Sequence, residues 1–445
     1  MPRLTAWEVL RSGGDAPLRR VTPAARRAGL DGRDTALLRR LVGTEVRRRA
    51  TLRIILAHLT RGKPKADLST HLRLGLVQLF FLDRVPDHAA VNETVDAVSR
   101  SLGISKGKYA NGVLRSALKL RQEGHVNLPR HDIAGTPWRL AEPVFRDPQE
   151  HPYLWAEDAL SVPAKLVKGW ADRWGDEEAF RIARCFLSEP DLSLRVPAAE
   201  REALADELRA AGGSPRLSDH ERILLLPSGE TGQALATPAF TAGRLTVQGE
   251  TALRAAELVA ACPGEHILDL CAAPGGKTAV LAEAGAHVTA CDISPARLEP
   301  LQQTITRLGH ADSVECLLID PTGPAPAGPF DAVLLDAPCS NTAVLGARPG
   351  ARWRWGPGSK RSLEELQTTL LERAATSVRP GGRLVWSTCS LEPAENEQRI
   401  TNFLATHPGW TLDEQSASAP ADPGGTGPID GGYAARLIRS ATDGA

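Results

Sequence analysis

Residues 267–283 read ILDLCAAPGGKTAVLAE. An apolar run closes on Asp269, a glycine pair follows at 275 and 276, and a helical pattern opens near Lys277. A strand that turns over glycine directly into a helix is the first half of a βαβ unit. Glycine lets the backbone come close to a ligand, and the unpaired N–H groups at the start of the helix suit a carboxylate or a phosphate. Downstream, short apolar runs at 288–292, 314–319, 332–336 and 383–388 alternate with helical stretches such as 295–308 and 362–378. That alternation predicts a doubly wound, mostly parallel sheet of Rossmann-like α/β class over 241–445. A Pro/Gly-rich loop at 417–432 leads to a final predicted strand at 434–438.

The loop is neither GxGxxG nor GxxxxGK[ST], which disfavours NAD and ATP. The second strand ends in Asp292, about twenty residues past the glycines, where a carboxylate can accept hydrogen bonds from both hydroxyls of a ribose. Asp320 ends the next strand and is placed for the base of the same cofactor. Three acids at three successive strand ends are hard to explain as solvated surface around a structural turn. A ribose-bearing cofactor without a pyrophosphate fits best, and S-adenosylmethionine is the expected one.

Two further strands run into cysteines, in Asp336-Ala337-Pro338-Cys339-Ser340 and in Ser387-Thr388-Cys389-Ser390. A buried cysteine is commonly just a small hydrophobe. Two at adjacent strand ends, flanked by Pro, Ser or Thr, instead suit covalent work on a flat, unreactive ring such as cytosine. C5 of cytosine is a poor nucleophile until a thiolate adds to C6, after which a methyl group can be accepted and the thiolate expelled. A thiol of pKa about 8.5 is little ionised at neutral pH, so its surroundings should be electropositive. Asp336 is placed to hydrogen-bond the protonated ring of the adduct.

The rest of the chain gives the setting. Its 445 residues allow several domains. The seven cysteines include no CxxC pair, which suits reduced thiols in a cytoplasmic protein. The start, MPRLTAWEVLRSGG, is too polar for a secretory segment, and 76–82 is too short to span a bilayer, so no membrane association is expected. Net charge is zero, yet residues 1–130 hold 25 Lys/Arg against 11 Asp/Glu. Such asymmetry points to a polyanion met by the N-terminal part, against the plainer reading of well-solvated helices. Helical periodicity runs through 1–125, a proline-punctuated stretch at 126–160 reads as a linker, and 161–240 mixes helices and short strands as a small α/β module. No metal site is expected.

CAAPGGKT at 271–278, DAPCS at 336–340, and STCS at 387–390 followed by Glu395-Asn396-Glu397 resemble the RNA cytosine-5 methyltransferases of the Nop2/Sun type. The N-terminal part resembles the NusB RNA-binding fold through Arg33-Asp34 with Leu37-Leu38, FLDRVPDHAAVNETVD at 81–96 and KGKYANGVLR at 106–115. The combination is similar to bacterial small-subunit rRNA methyltransferases. It implies an all-α NusB-like domain, an RRM-like module and a class I S-adenosylmethionine-dependent methyltransferase domain. It also implies a monomer acting on 16S rRNA before full subunit assembly, at the cytosine-967 type of site. By the same resemblance, the backbone of Cys271, Ala272, Ala273, Pro274, Gly275, Gly276 and Lys277 holds the methionine part of the cofactor. Asp292 holds its ribose and Asp320 its adenine side; Asp336 serves cofactor and base. Cys389 is the nucleophile, Cys339 aids product release, and Gln248 with the 161–240 module frames the RNA. Two departures stand out: Asn341-Thr342-Ala343 where the family usually has Gly-Thr-Gly, and GARPGARWRW at 346–355, which keeps Arg348, Arg352 and Arg354. Competing readings are a tRNA cytosine-C5 methyltransferase, which the NusB-like part argues against, and a non-catalytic RNA-binding or antitermination protein. Both cysteines and the glycine pair are present, which opposes the latter.

Overall fold

The computed structural model describes residues 1–13, 16–421 and 429–441. The chain divides into two compact units, Met1–Ser188 with Arg348–Arg354, and Glu189–Ala347 with Trp355–Ala445.

The first unit is helical. Helices Pro2–Arg11, Val21–Arg27, Gly32–Arg47, Arg49–Leu59, Ala66–Phe81, Asp87–Leu102 and Ile104–Leu120 follow the expected periodicity. Asp31 caps the third, accepting the Asp34 N–H at 2.7 Å, and Leu38, Leu41, Val42 and Val46 line its buried face. Helix Ala66–Phe81 is buried on nearly every side. At Gly75 a Cβ would fall 2.6 Å from Leu114 Cδ2, so only glycine lets that helix approach Ile104–Leu120 as closely as it does. The stretch at 126–160 is built into this unit: Trp138–Leu140 pairs with Arg121–Glu123, Ile133 and Phe145 are buried, and Pro152 opens helix Pro152–Leu160. Its prolines mark turns and a helix start.

Residues 348–354 also belong to this unit. Arg352 is fully buried and donates to the carbonyls of Ser161 (2.9 Å), Phe186 (3.2 Å) and Arg47 (3.3 Å). Burial, with Arg47 and Arg48 nearby, holds its pKa well below the usual arginine value. Trp353 adds an indole donor to the carbonyl of Val46 at 2.7 Å. Arg352→Met should therefore destabilise the protein by about 3 kcal/mol, since three buried carbonyls lose their donors. Urea unfolding checks this, and an unchanged midpoint would refute it.

The second unit begins with a four-stranded antiparallel sheet in the order Arg216–Leu217, Ile223–Leu226, Leu192–Arg195, Thr246–Val247. Helix Arg201–Ala210 packs Leu204, Ala205 and Leu208 against Leu194, Leu224 and Leu226. The two-residue strands at the edges are too short to show in a sequence pattern.

The larger sheet contains β1 (His266–Asp269), β2 (His287–Asp292), β3 (Val314–Leu318), β4 (Phe330–Asp336), β5 (Val378–Thr388), β6 (Trp410–Ser418) and β7 (Gly432–Arg439). The spatial order is β6-β7-β5-β4-β1-β2-β3. Strands β1 to β5 run parallel, and β7 is antiparallel to both β5 and β6. Neighbouring residues along each strand face opposite sides. Leu268, Val333, Leu335, Leu384 and Trp386 pack under helices Pro357–Ser377 and Glu397–Thr406. Ile267, Ala332, Leu334 and Val385 pack under Gly276–Glu283 and Pro295–Arg307. Helices on both faces make this the expected doubly wound architecture. Strand β6 was not expected. It is an edge strand exposed at every residue after Trp410, and it displays no buried face for a pattern to reveal. The predicted loop at 417–432 lies partly outside the described residues, which omit 422–428. Among the described residues no helix is long and apolar enough to cross a membrane.

Candidate active site

Strands β1 and β4 are neighbours in space although β2 and β3 lie between them in the chain. The winding reverses there, and ligands of open α/β sheets bind at the carboxyl ends of the strands flanking such a reversal. Asp269 ends β1, Asp292 ends β2, Asp336 ends β4, and Cys389 follows β5 directly. Four adjacent strands thus bring titratable side chains to one edge.

The two glycines of the loop play different parts. Gly275 has φ +97°, and a Cβ there would lie 2.6 Å from Leu301 Cδ1, so the position excludes any other residue. A Cβ on Gly276 would meet the Gln248 side chain at 3.5 Å, an ordinary contact. Helix Gly276–Glu283 starts here and carries Lys277, whose Nζ lies 2.7 Å from Asp336 Oδ2. Ser387, paired with Asp336 across β4 and β5, donates its hydroxyl to Asp336 Oδ1 at 3.1 Å.

Asp269 was read only as a strand end, and its environment says more. Thr278 donates to its Oδ2 at 2.8 Å, while the buried Oδ1 has no hydrogen-bond partner. Burial pushes its pKa up to about 7, against the Thr278 hydrogen bond and with some help from Asp336. Folding thus favours the protonated carboxyl. That stabilisation is complete below the ordinary value of 3.8 and is lost as pH rises from there to about 7. Asp269→Asn, which carries no charge at any pH, should remove the dependence. Across that window the wild type should lose up to about 4 kcal/mol relative to the variant. Urea unfolding at a series of pH values gives the comparison, and parallel curves for the two proteins would contradict it.

Asp292 is nearly buried and accepts the Ser294 N–H at 3.0 Å. Ile293, just after β2, and Leu318, the last residue of β3, are about half exposed (52% and 51%), apolar side chains at adjacent strand ends. The sequence did not mark them: Ile293 lies past its apolar run, and Leu318 lies inside one that reads as an ordinary buried strand. Asp320 sits two residues after β3 on an exposed turn, where the Thr322 N–H and hydroxyl both donate to its Oδ1 at 2.7 Å and lower its pKa. The thiol of Cys271 is pushed far up by burial, and that of Cys291 to about 12, which disfavours the thiolate form of both.

Cys339 and Cys389 come together with Sγ atoms 3.1 Å apart, both as reduced thiols. The hydrogen bond to Cys389 and then burial push the Cys339 thiol well up. Asn341, in a left-handed conformation (φ +62°), accepts the Cys389 thiol on Oδ1 at 3.2 Å and donates Nδ2 to the Cys339 carbonyl at 2.7 Å. Behind the pair lies Glu395, 1% exposed. It accepts the Ser340 N–H (3.0 Å), the Ser340 hydroxyl (2.5 Å) and the Ser390 hydroxyl. Ser340 and Ser390 each follow one of the cysteines, so a single carboxylate ties both loops. Asn396 accepts the Thr388 hydroxyl at 2.5 Å and donates to the Ser390 carbonyl at 2.8 Å. The run Glu395-Asn396, quoted from the sequence only for its resemblance, is thus the brace of the thiol pair.

Several features suit S-adenosylmethionine. A buried carboxyl oxygen without a hydrogen-bond partner lies on Asp269, Gly275 makes a tight turn directly into a helix, and a carboxylate on Asp292 precedes an exposed apolar residue. A ribose-linked adenine and an amino acid end need such groups.

The chain is similar to known proteins over nearly its whole length. A family described as 16S rRNA methyltransferase RsmB/F matches residues 256–426, and the NusB family matches 4–119. Ribosomal RNA small subunit methyltransferase B of Pseudomonas putida is 32% identical over 99% of this chain and 99% of its own. Its counterpart from Xanthomonas campestris is 33% identical over 88% and 82%. The crystal structure of PH0851 shares the fold, with a TM-score of 0.74, 24% identity and 98% coverage of both chains.

Proposed function

The chain belongs to the 16S rRNA methyltransferase RsmB/F family, and on that premise we propose that it methylates C5 of a cytosine in 16S rRNA through a covalent bond from Cys389 to C6. It is an S-adenosylmethionine-dependent rRNA methyltransferase with a NusB-like helical region. The observation that supports the finer reading is the pair of thiols 3.1 Å apart beside the reversal of the sheet. Amino-group methylation would have no use for such a pair.

S-adenosylmethionine, when bound, supplies an electrophilic methyl group. The backbone of 271–277 would hold its methionine part, Asp292 its ribose, and Asp320 with Ile293 and Leu318 its adenine side. Cys389 adds as the thiolate to C6, and the electron pair displaced from the C5–C6 bond makes C5 nucleophilic, so that C5 would take up the cofactor's methyl group as the S–CH3 bond breaks with its electron pair left on the sulfonium sulfur. Asp336, kept in place by Lys277 and Ser387, hydrogen-bonds the protonated N3 edge of the adduct. A base then removes the C5 proton, the C5–C6 double bond re-forms, and the C6–S bond breaks with its electron pair returning to Cys389. Cys339 assists that departure. The target must be unpaired or flipped out to reach the crevice, which favours 16S rRNA before subunit assembly is complete, met by a monomer in the cytoplasm. The resemblance points to cytosine 967.

Bisulfite sequencing of 16S rRNA from cells with and without the gene tests the assignment. One cytosine protected only when the gene is present is the expected result, and unchanged protection throughout would overturn it. Asp292→Ala should weaken cofactor binding by about 1–3 kcal/mol, because hydroxyl donors would lose a charged acceptor. Calorimetry showing equal affinity would take Asp292 out of the site.

A further inference from the structure

The loop after Cys339 carries Asn341-Thr342-Ala343, the departure already noted in the sequence, and its side chain touches both cysteine residues. The left-handed backbone at 341 is a conformation that glycine and asparagine tolerate and most residues do not. Asparagine therefore fits without strain and adds an amide that glycine lacks. The orientation of that amide is settled by its partners. The Cys339 carbonyl can only accept, so the group 2.7 Å from it is the NH2. The amide oxygen then faces Cys389 Sγ at 3.2 Å and, having no proton, must receive the thiol hydrogen of Cys389. With that hydrogen committed, the 3.1 Å contact between the sulfurs has one remaining donor, the S–H of Cys339. The Ala343 N–H, donating to the Cys389 carbonyl at 3.1 Å, holds the two loops at this spacing.

We propose that Asn341 is a positioning residue that sets the direction of hydrogen bonding in the thiol pair, so that Cys339 donates to Cys389 Sγ. The catalytic use of this rests on the reading under Proposed function. When the C6–S bond breaks and its electron pair returns to Cys389, the emerging thiolate already faces a donor. In the resting enzyme the Asn341 oxygen favours the neutral Cys389 thiol, since a hydrogen bond made only by the protonated form raises a pKa. Titratable groups near the pair include Cys339 itself, Glu395 behind Ser340 and Ser390, the Asp336–Lys277 pair at neighbouring element ends, and Tyr433, which pairs with Thr388 across β5 and β7. All of these are retained when only residue 341 is changed.

The test uses the full-length protein with Asn341→Gly and Asn341→Asp, both compatible with the left-handed backbone. The rate of Cys389 alkylation by iodoacetamide is followed against pH, with the modified peptide identified by mass spectrometry. Removing the acceptor should lower the midpoint by on the order of one pH unit, and a carboxylate there should raise it. In parallel, the covalent RNA adduct of Asn341→Gly should decay several-fold more slowly than that of the wild type. Equal midpoints in all three proteins would overturn the proposal. Midpoints ordered as expected with no RNA adduct in any of them would leave the hydrogen-bond role standing and sink the covalent reading on which its use depends.

Discussion

Cys389→Ala should abolish methyl transfer to 16S rRNA, with a loss on the order of 10⁴-fold or more, while affinity for S-adenosylmethionine stays within about twofold of the wild type. The two halves follow from where the groups sit. The residues proposed to hold the cofactor lie on β1, β2 and β3 and the turns after them, whereas Cys389 follows β5, on the far side of β4. Cys389 also leaves little behind when it goes. Its neighbours Ser340 and Ser390 remain tied to Glu395, and Thr388 remains tied to Asn396. The fold should therefore survive and the defect should be chemical. Single-turnover methylation of an rRNA fragment, with calorimetry for the cofactor, separates the outcomes. A variant methylating at a tenth of the wild-type rate would remove the thiol from the chemistry, and a variant that lost cofactor affinity would move Cys389 into the cofactor site.

Much of this site was visible in the residues, and what was hidden was hidden for definite reasons. The Gly275 turn announced itself because a glycine pair after an apolar run has few other uses, and the structure supplies the reason in Leu301. The two cysteines were legible because both follow apolar strand runs. Their contact was not, since parallel strands 50 residues apart reveal nothing of register until they pair. Asp269 was seen as a strand end, but a buried, half-satisfied carboxyl is a property of its surroundings. Arg352 shows the same limit more sharply. In the sequence it is one of three arginines kept in a segment that departs from the family pattern, and in the structure it is sealed among three carbonyls of the helical unit. Strand β6 escaped because an edge strand of polar residues has no hydrophobic alternation to read.

Cys339→Ala should have an effect of similar size but opposite character, an enzyme caught on its substrate. Adduct formation needs the Cys389 thiolate and the ring, both of which the variant keeps. Breakdown needs the sulfur to leave with its electron pair, and on the proposed reading Cys339, whose sulfur lies 3.1 Å from that of Cys389, is the group that would hydrogen-bond the departing thiolate. Burial and the hydrogen bond to Cys389 hold the Cys339 thiol well above the usual range, so it remains protonated at neutral pH and able to donate. Loss of a positioned acid of this kind slows its step by about 10²- to 10⁴-fold. With RNA and S-adenosylmethionine present, the variant should therefore accumulate a protein–RNA band that survives denaturation, while multiple turnover collapses. The double variant Cys339→Ala/Cys389→Ala should show no such band, which ties the bond to Cys389. If Cys339→Ala turned over normally without accumulating adduct, the second thiol would be a packing residue, and its distance from the first would need another explanation.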